Sequence, residues 1–448
     1  MQPEEGLPPH LSRCLRAFVV RFPEKFVRSR RAAIFPRMRG FTSLVVVGLA
    51  SHLLTGCSKD SNAATGSAGV TTVSLAAPAS AEPKNAAPPT GSASALPIAK
   101  AAPAAAETAP VNEGTPIPEG QAPVLEVQEV AETGSMPKGA KLSRDGKQFF
   151  VTNFGQYDTR SVTIYDSKTL ELQGQIDLPG VNVESDLSAD GNTLFVSNFH
   201  RSSVIFVDIA KRAIAKEISV GKNPKVLVTS PDGKFVFTAN WASNDVTQVD
   251  VEAGKVLRTL KAGRQPRGMA MTRKGKLFVA NFFGESLDIF EGDDLSKRHR
   301  IPICKCPRHL TVSPDDKTLY ISCLTASQLH ALDIETEKVV NHAPVGDAPK
   351  SIDVSADGRW VYTADYGETR SVSIVDTKSW VSRTFPIQAM DRASGVAVAP
   401  DGRHALVTGW YDGHVYLVGF QGTGGHPEEA KAKMRKWQFV PRHPVPGD

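Results

Sequence analysis

Seven copies of a unit of about 42 residues fill positions 124–420, and a repeat of that period leaves few architectures open to the chain. The copies are registered by a tight turn of the SPDGK type: Asp145-Gly146, Asp190-Gly191, Asp232-Gly233, Lys274-Gly275, Asp315-Asp316, Asp357-Gly358 and Asp401-Gly402. Successive turns lie 45, 42, 42, 41, 42 and 44 residues apart. Within residues 266–292, GMAMT reads as an innermost strand, RKGK as a turn, LFVAN as a second strand, FFGES as a loop and LDIFE as a third strand. A fourth, outer strand follows a second turn in most copies, as KVLRTL does after residues 250–254. β-Branched and aromatic residues alternate there between Asp, Gly, Asn and Pro, the pattern of strands. Four short strands per copy make a propeller blade, which buries its faces only by stacking on its neighbours around a ring.

The expected fold class is therefore all-β, a seven-bladed propeller over residues 121–420. The last copy stops after three strands, at residues 416–420. VLEVQEV at 124–130 precedes Gly134 and Pro137 as residues 256–260 precede Gly263 and Pro266, so this segment is expected to complete blade 7. Closure of that kind removes the open sheet edges that invite aggregation.

The second strands carry a family likeness. FVTN ending at Asn153, FVSN at Asn198, FTAN at Asn240 and FVAN at Asn281 resemble the YVTN β-propeller repeat, and they recur in phase. Three copies depart from it: YISC ends in Cys323, YTAD in Asp365 and LVTG in Gly409. The resemblance implies a seven-bladed ring and an exported protein. It implies no single activity, because related propellers include binding proteins, redox-enzyme subunits and lactonases.

Residues 41–53 form an apolar run that is short for a bilayer span and suited to a signal-peptide core. The run follows Met38-Arg39 and leads into Leu54-Thr55-Gly56-Cys57, which resembles the lipobox of bacterial lipoproteins and marks Cys57 for lipid attachment. Residues 1–56 thus read as a leader, with Met38 as the expected start of translation. Residues 57–120 read as the lipidated cysteine and a tether rich in Ala, Pro and Ser, without the apolar pattern of a core. A flexible chain of that length spans roughly 45 Å. The expected location is the bacterial cell envelope, lipid-anchored and facing the periplasm or the cell surface, with a monomeric ring.

The chain has 52 basic and 47 acidic residues. Nine basic and three acidic ones belong to the leader, which leaves 43 against 44 and no global attraction to nucleic acid or membrane.

Two positions repeat on one expected face of the ring. Directly after a proline stand Lys138, Lys225, Arg267, Arg308 and Lys350, while blades 2 and 7 have Val183 and Ser394, with Arg392 close by. Just after the second strand stand Phe154, Phe199, Trp241, Phe282, Leu324, Tyr366 and Trp410. Cations with aromatics outside them suit an anionic ligand, with a protein, an acidic glycan or single-stranded nucleic acid as the partner. The architectural alternative has the aromatics packing over the next blade and the cations pairing with Asp245, Glu285 or Asp365.

Cys304, Cys306 and Cys323 all fall in the fifth repeat, and in an oxidising envelope the expected disulfide is Cys306 to Cys323. A metal or redox site that includes His309 is the alternative. The chain has no CxxCH, HExxH, GxSxG or P-loop motif, so no cofactor and no catalytic residue is assigned. Glu184, Asp186, Asp353 and Asp365 are the carboxylates that a lactonase-like metal hydrolase would draw on. The leading expectation is a binding or scaffold protein, with that hydrolase and a subunit of a periplasmic redox system as rivals. The basic tail, residues 421–448, is expected to remain mobile rather than dock through Trp437 and Phe439.

Overall fold

The computed structural model describes residues 120–155, 160–292 and 294–438. The leader, Cys57 and the tether to residue 119 lie outside the described residues. Among the described residues, twenty-eight strands, β1 to β28, form seven four-stranded antiparallel sheets. The innermost strands are β2 (Pro137–Leu142), β6 (Asn182–Leu187), β10 (Pro224–Thr229), β14 (Pro266–Met271), β18 (Pro307–Val312), β22 (Pro349–Val354) and β26 (Ala393–Val398). Each lies against the innermost strands of the two neighbouring blades, and β26 meets β2.

Burial follows distance from the axis. The second strand of blade 4, β15 (Leu277–Asn281), is buried throughout, whereas its outer strand β17 (Lys297–Pro302) is almost wholly exposed. Apolar residues of adjacent sheets interlock between the blades, as Phe150, Ile164, Leu194 and Ile205 do between blades 1 and 2. The SPDGK-type turn is held locally. Ser143 Oγ donates to Asp145 Oδ1 at 2.6 Å and accepts from Gln148 N at 2.9 Å, while Gly146 takes φ 72°, a conformation that favours glycine. Asp316 takes Gly's place in blade 5 at φ 66°, and its carboxylate accepts the N–H of Arg273 from the preceding blade.

In blade 7, β1 (Leu125–Glu132) pairs antiparallel with β28 (His414–Phe420), from Leu125 opposite Phe420 to Glu132 opposite His414. This outer strand is unlike the others, because helix α1 (Pro427–Gln438) covers it. Pro427 opens the helix, Glu428 and Glu429 sit in its first turn and Arg435 and Lys436 in its last, the charge order the helix dipole favours. Ala430 and Met434 pack on the cluster that holds Leu125, Val127 and Val130, His426 N donates to Gln128 O at 3.0 Å, and Lys433 pairs with Glu129 at 2.6 Å. The tail was expected to stay mobile, and this part of it docks instead. The side chain of Trp437 and all of Phe439 lie outside the described residues. No helix among the described residues is long and apolar enough to cross a membrane.

Candidate functional site

The repeated cation and the repeated aromatic are brought together by one backbone device. The residue before the first position of the innermost strand has positive φ in six blades: Met136 (54°), Asn223 (56°), Gln265 (55°), Cys306 (53°), Ala348 (54°) and Arg392 (67°). None is glycine, so each carries strain of order 1 kcal/mol that its surroundings must offset. The carbonyl of that residue accepts the N–H of the residue just after the second strand. The bonds are Phe154 to Met136 (3.0 Å), Trp241 to Asn223 (3.1 Å), Phe282 to Gln265 (3.1 Å), Leu324 to Cys306 (3.3 Å), Tyr366 to Ala348 (3.1 Å) and Trp410 to Arg392 (2.9 Å). In blade 2, Phe199 bonds Val181 at 2.7 Å. A register shift follows directly, between positions one and four in blades 3, 4 and 5. A bulge of this kind re-aims side chains that strict alternation would place elsewhere. Hydroxyls of the second strands take up freed backbone N–H groups, as Ser197 does for Glu184, Ser322 for His309 and Thr408 for Gly395.

All five predicted cations are buried, between 4 % and 6 % exposed. They converge. Lys350 of blade 6 lies within electrostatic reach of Arg308, Lys138 and Arg267, and Lys225 within reach of Arg267, Lys138 and Arg308. Burial pushes the Lys138 ammonium down to about 8, against the pull of Glu184, and pushes Lys225 and Lys350 well below the usual lysine range. Burial, then Arg308, depresses Arg267 in the same direction; burial brings Arg308 to about 10. Lys138 pairs with Glu184 at 2.7 Å, and Lys350 donates to Ser394 Oγ at 2.5 Å. Arg308 Nη1 is buried without an acceptor.

The aromatics form a wall on which these cations rest. Lys225 Nζ lies 3.9 Å from the Phe199 ring centre, Lys350 Nζ 4.2 Å from Tyr366 and 4.1 Å from Trp410, and Arg267 5.3 Å from Trp241. Arg267 and Arg308 flank the same ring, Phe282, at 5.6 and 6.0 Å. Phe154 packs on Phe199 and Trp410. The proposed pairings with Asp245 and Asp365 are not what the structure uses. Asp245 accepts from Asn240 Nδ2 at 2.6 Å, and Asp365 from Thr363, Ser371 and Ser373 at 2.6, 2.9 and 2.7 Å.

Two further residues enter from the third strand position, which the bulge also turns inward. Glu184 of blade 2 and His309 of blade 5 lie within electrostatic reach of each other across the ring, and burial holds the His309 imidazole down to about 4. His309 Nδ1 has no hydrogen-bond partner. The sequence offered one signal for this pair, a charged or titratable residue directly after the repeated position, and only the bulge makes that position axial.

The carboxylates considered for a metal hydrolase are not gathered into one set. Glu184 holds Lys138, Asp186 holds Lys141 at 2.8 Å and accepts Thr229 N, Asp353 accepts Val354 N and Val398 N, and Asp365 has its three hydroxyls. Among the described residues the one grouping with metal-ligand spacing is Cys304, Cys323 and His330, and its two cysteines are joined. The expected Cys306–Cys323 disulfide is thereby corrected to Cys304–Cys323, with Cα atoms 5.8 Å apart. Cys306 occupies the positive-φ loop position and packs with Trp241, Phe282 and Leu324, so Cys304 is the residue that faces Cys323.

Cys323 stands where other blades have Asn. Those asparagines tie the end of the second strand to nearby loops, as Gly263 N donates to Asn281 Oδ1 at 2.9 Å and Asn153 Nδ2 to Arg160 O at 2.7 Å. The three departures from the repeat are three substitutes for that tie. Blade 5 uses the disulfide, blade 6 the hydroxyl-bonded Asp365, and blade 7 Gly409, beside which Asp412 accepts Asp391 N.

Solved propellers share this architecture. The chain is similar to the Kuenenia stuttgartiensis hydrazine synthase structure, with TM-score 0.57 and 19% identity over 66% of this chain and 98% of that one. It is also similar to virginiamycin B lyase from Staphylococcus aureus, with TM-score 0.55 and 13% identity over 65% and 99% of the two chains. At such identities the likeness is one of fold. Antigen Lp49 of Leptospira interrogans is 25% identical over 118 residues, 23% of this chain, and the match spans about a quarter (26%) of that protein. The profile of the YNCE-like beta-propeller family matches residues 181–411. That match takes in more than half of the 448 residues, and the chain belongs to the YNCE-like β-propeller family.

Proposed function

We propose that this protein is a binding propeller of the bacterial envelope whose loop face receives an anionic ligand at the ring axis. The observation that carries the reading is the burial of Lys138, Arg308 and Lys350 within mutual electrostatic reach, with Glu184 paired to Lys138 and Arg308 Nη1 left without an acceptor. Desolvating like charges together costs several kcal/mol, and an anion is the natural compensation. Calorimetry on the full chain at low and high salt tests it. Binding should be saturable, weaken with salt, and be reduced at least tenfold by joint replacement of Lys138, Arg308 and Lys350 with Met. Absence of binding by any anion would refute the reading.

The anchoring belongs to the same proposal and rests on the apolar run and Cys57. A diacylglyceryl adduct on an N-terminal Cys57 is the expected mass-spectrometric result, and Cys57→Ser should release the protein from membranes. Closure of the ring by β1 is proposed as well, supported by its pairing with β28. A chain beginning at residue 119 should melt like the parent, and one beginning at residue 131 should aggregate.

A further inference from the structure

The shape of the cation ring says what kind of anion it fits. We propose that the axial site takes a compact, multivalent oxyanion, a small molecule bearing phosphate or several carboxylate groups, with Arg308 and Lys350 as principal cations and His309 as an inner contact. The inference rests on the anionic reading above and narrows it.

Three observations separate a compact ligand from a charged polymer. The cations face one another around a closed circle, since Lys350 of blade 6 senses Lys138 of blade 1 and Arg267 of blade 4. A polymer backbone needs a track along which charges are laid out, and grooves for single strands add open aromatic faces for stacking. Here each cation is at least nine-tenths buried, and ring faces of Phe199, Trp241, Phe282, Tyr366 and Trp410 are approached by cations.

The donors also have the right chemistry. Arg308 and Arg267 both hold their guanidinium groups within about 6 Å of the Phe282 ring centre and within electrostatic reach of each other, so two forks of N–H donors share one ring. Such forks match the oxygens of phosphate and carboxylate, and the three lysines supply point charge around them. Arg308 Nη1 and His309 Nδ1 are buried polar atoms with no partner, so ligand oxygens would accept from Arg308 Nη1 and from His309 Nδ1 when that nitrogen carries its proton. Glu184, Lys138, Lys141 and Arg308 are the charged groups that face His309. Adding a multivalent anion among them favours imidazolium, which supplies a readout specific to this geometry.

The test is calorimetric titration of the full chain with pyrophosphate and with citrate, alongside a single-stranded oligonucleotide and heparin. One-to-one binding of pyrophosphate or citrate, weakened about 30-fold by Arg308→Met with Lys350→Met, supports the inference. The tighter of the two names the oxyanion. Binding of oligonucleotide or heparin that neither small anion displaces overturns the compact class and leaves the anionic reading standing. Binding by none overturns both. If the double variant fails to fold, NMR titration of His309 in the unaltered protein decides: its imidazole pKa must rise on adding the small anion, and an unchanged value refutes the contact.

Discussion

At the fifth position of the innermost strands, Lys141 meets Asp186 at 2.8 Å, while Asp186 and Asp353 each accept a backbone N–H from a following blade, Thr229 and Val398. At the second position of the same strands, five cations share Glu184. The residue types are alike and only a few residues separate them. Charge at the inner position is consumed in stapling blade to blade, whereas at the loop end like charges gather and Arg308 Nη1 has no acceptor. A buried charge that is fully paired reports on architecture, whereas a buried charged donor without an acceptor, as at Arg308 Nη1, reports on a missing counterpart.

The sharpest way to break this comparison is Asp186→Ala, which strips partners from Lys141 and from the Thr229 N–H. Urea unfolding should show a loss of about 2 to 4 kcal/mol. A loss no larger than that of an ordinary surface change would mean the staple is idle. Arg308→Met with Lys350→Met should act with the opposite sign and gain about 1 to 2 kcal/mol in unliganded protein, because mutual repulsion and desolvation are relieved. If it destabilises as Asp186→Ala does, the loop-end cations are structural too.

The pH dependence sharpens the contrast at smaller amplitude. The Lys138 pKa falls from 10.5 to about 8 on folding, so between these values the unfolded chain binds more protons than the native one. Stability of the unliganded protein should therefore rise as pH goes from about 8 to 10, with Lys225 and Lys350 acting in the same direction. Thermal melts across that range should show a gain that Lys138→Met diminishes. The smallest effect belongs to Asp353, whose carboxyl is pushed up by burial against the pull of its N–H bonds. A raised acid loses stability as pH climbs above its unfolded value, so Asp353→Asn should flatten that decline by about 1 kcal/mol or less. A melt series from pH 4 to 7 on both proteins would read it.

Much of the candidate site was visible in the repeat. Proline followed by Lys or Arg, seven residues before the turn, marked Lys138, Lys225, Arg267, Arg308 and Lys350, and the aromatics came from the residue after the second strand. Glu184 was grouped with the carboxylates of a metal hydrolase and His309 with the cysteines rather than with the cations, because strand alternation sends adjacent residues to opposite faces and the bulge suspends that rule. Asp186 and Asp353 were candidates for a metal hydrolase, and only the fold shows the N–H partners that the neighbouring blades supply them.

The period, the four strands per copy and the common face of cations and aromatics are properties of local sequence, since turn chemistry and alternation act over a few residues and repeat in phase. The Cys304–Cys323 link, the docking of α1 on β1 and the convergence of five cations are decided by contacts between segments far apart in the chain. Which charges a cation meets depends on what the other six blades place around the axis, and a ring sets that only when it closes.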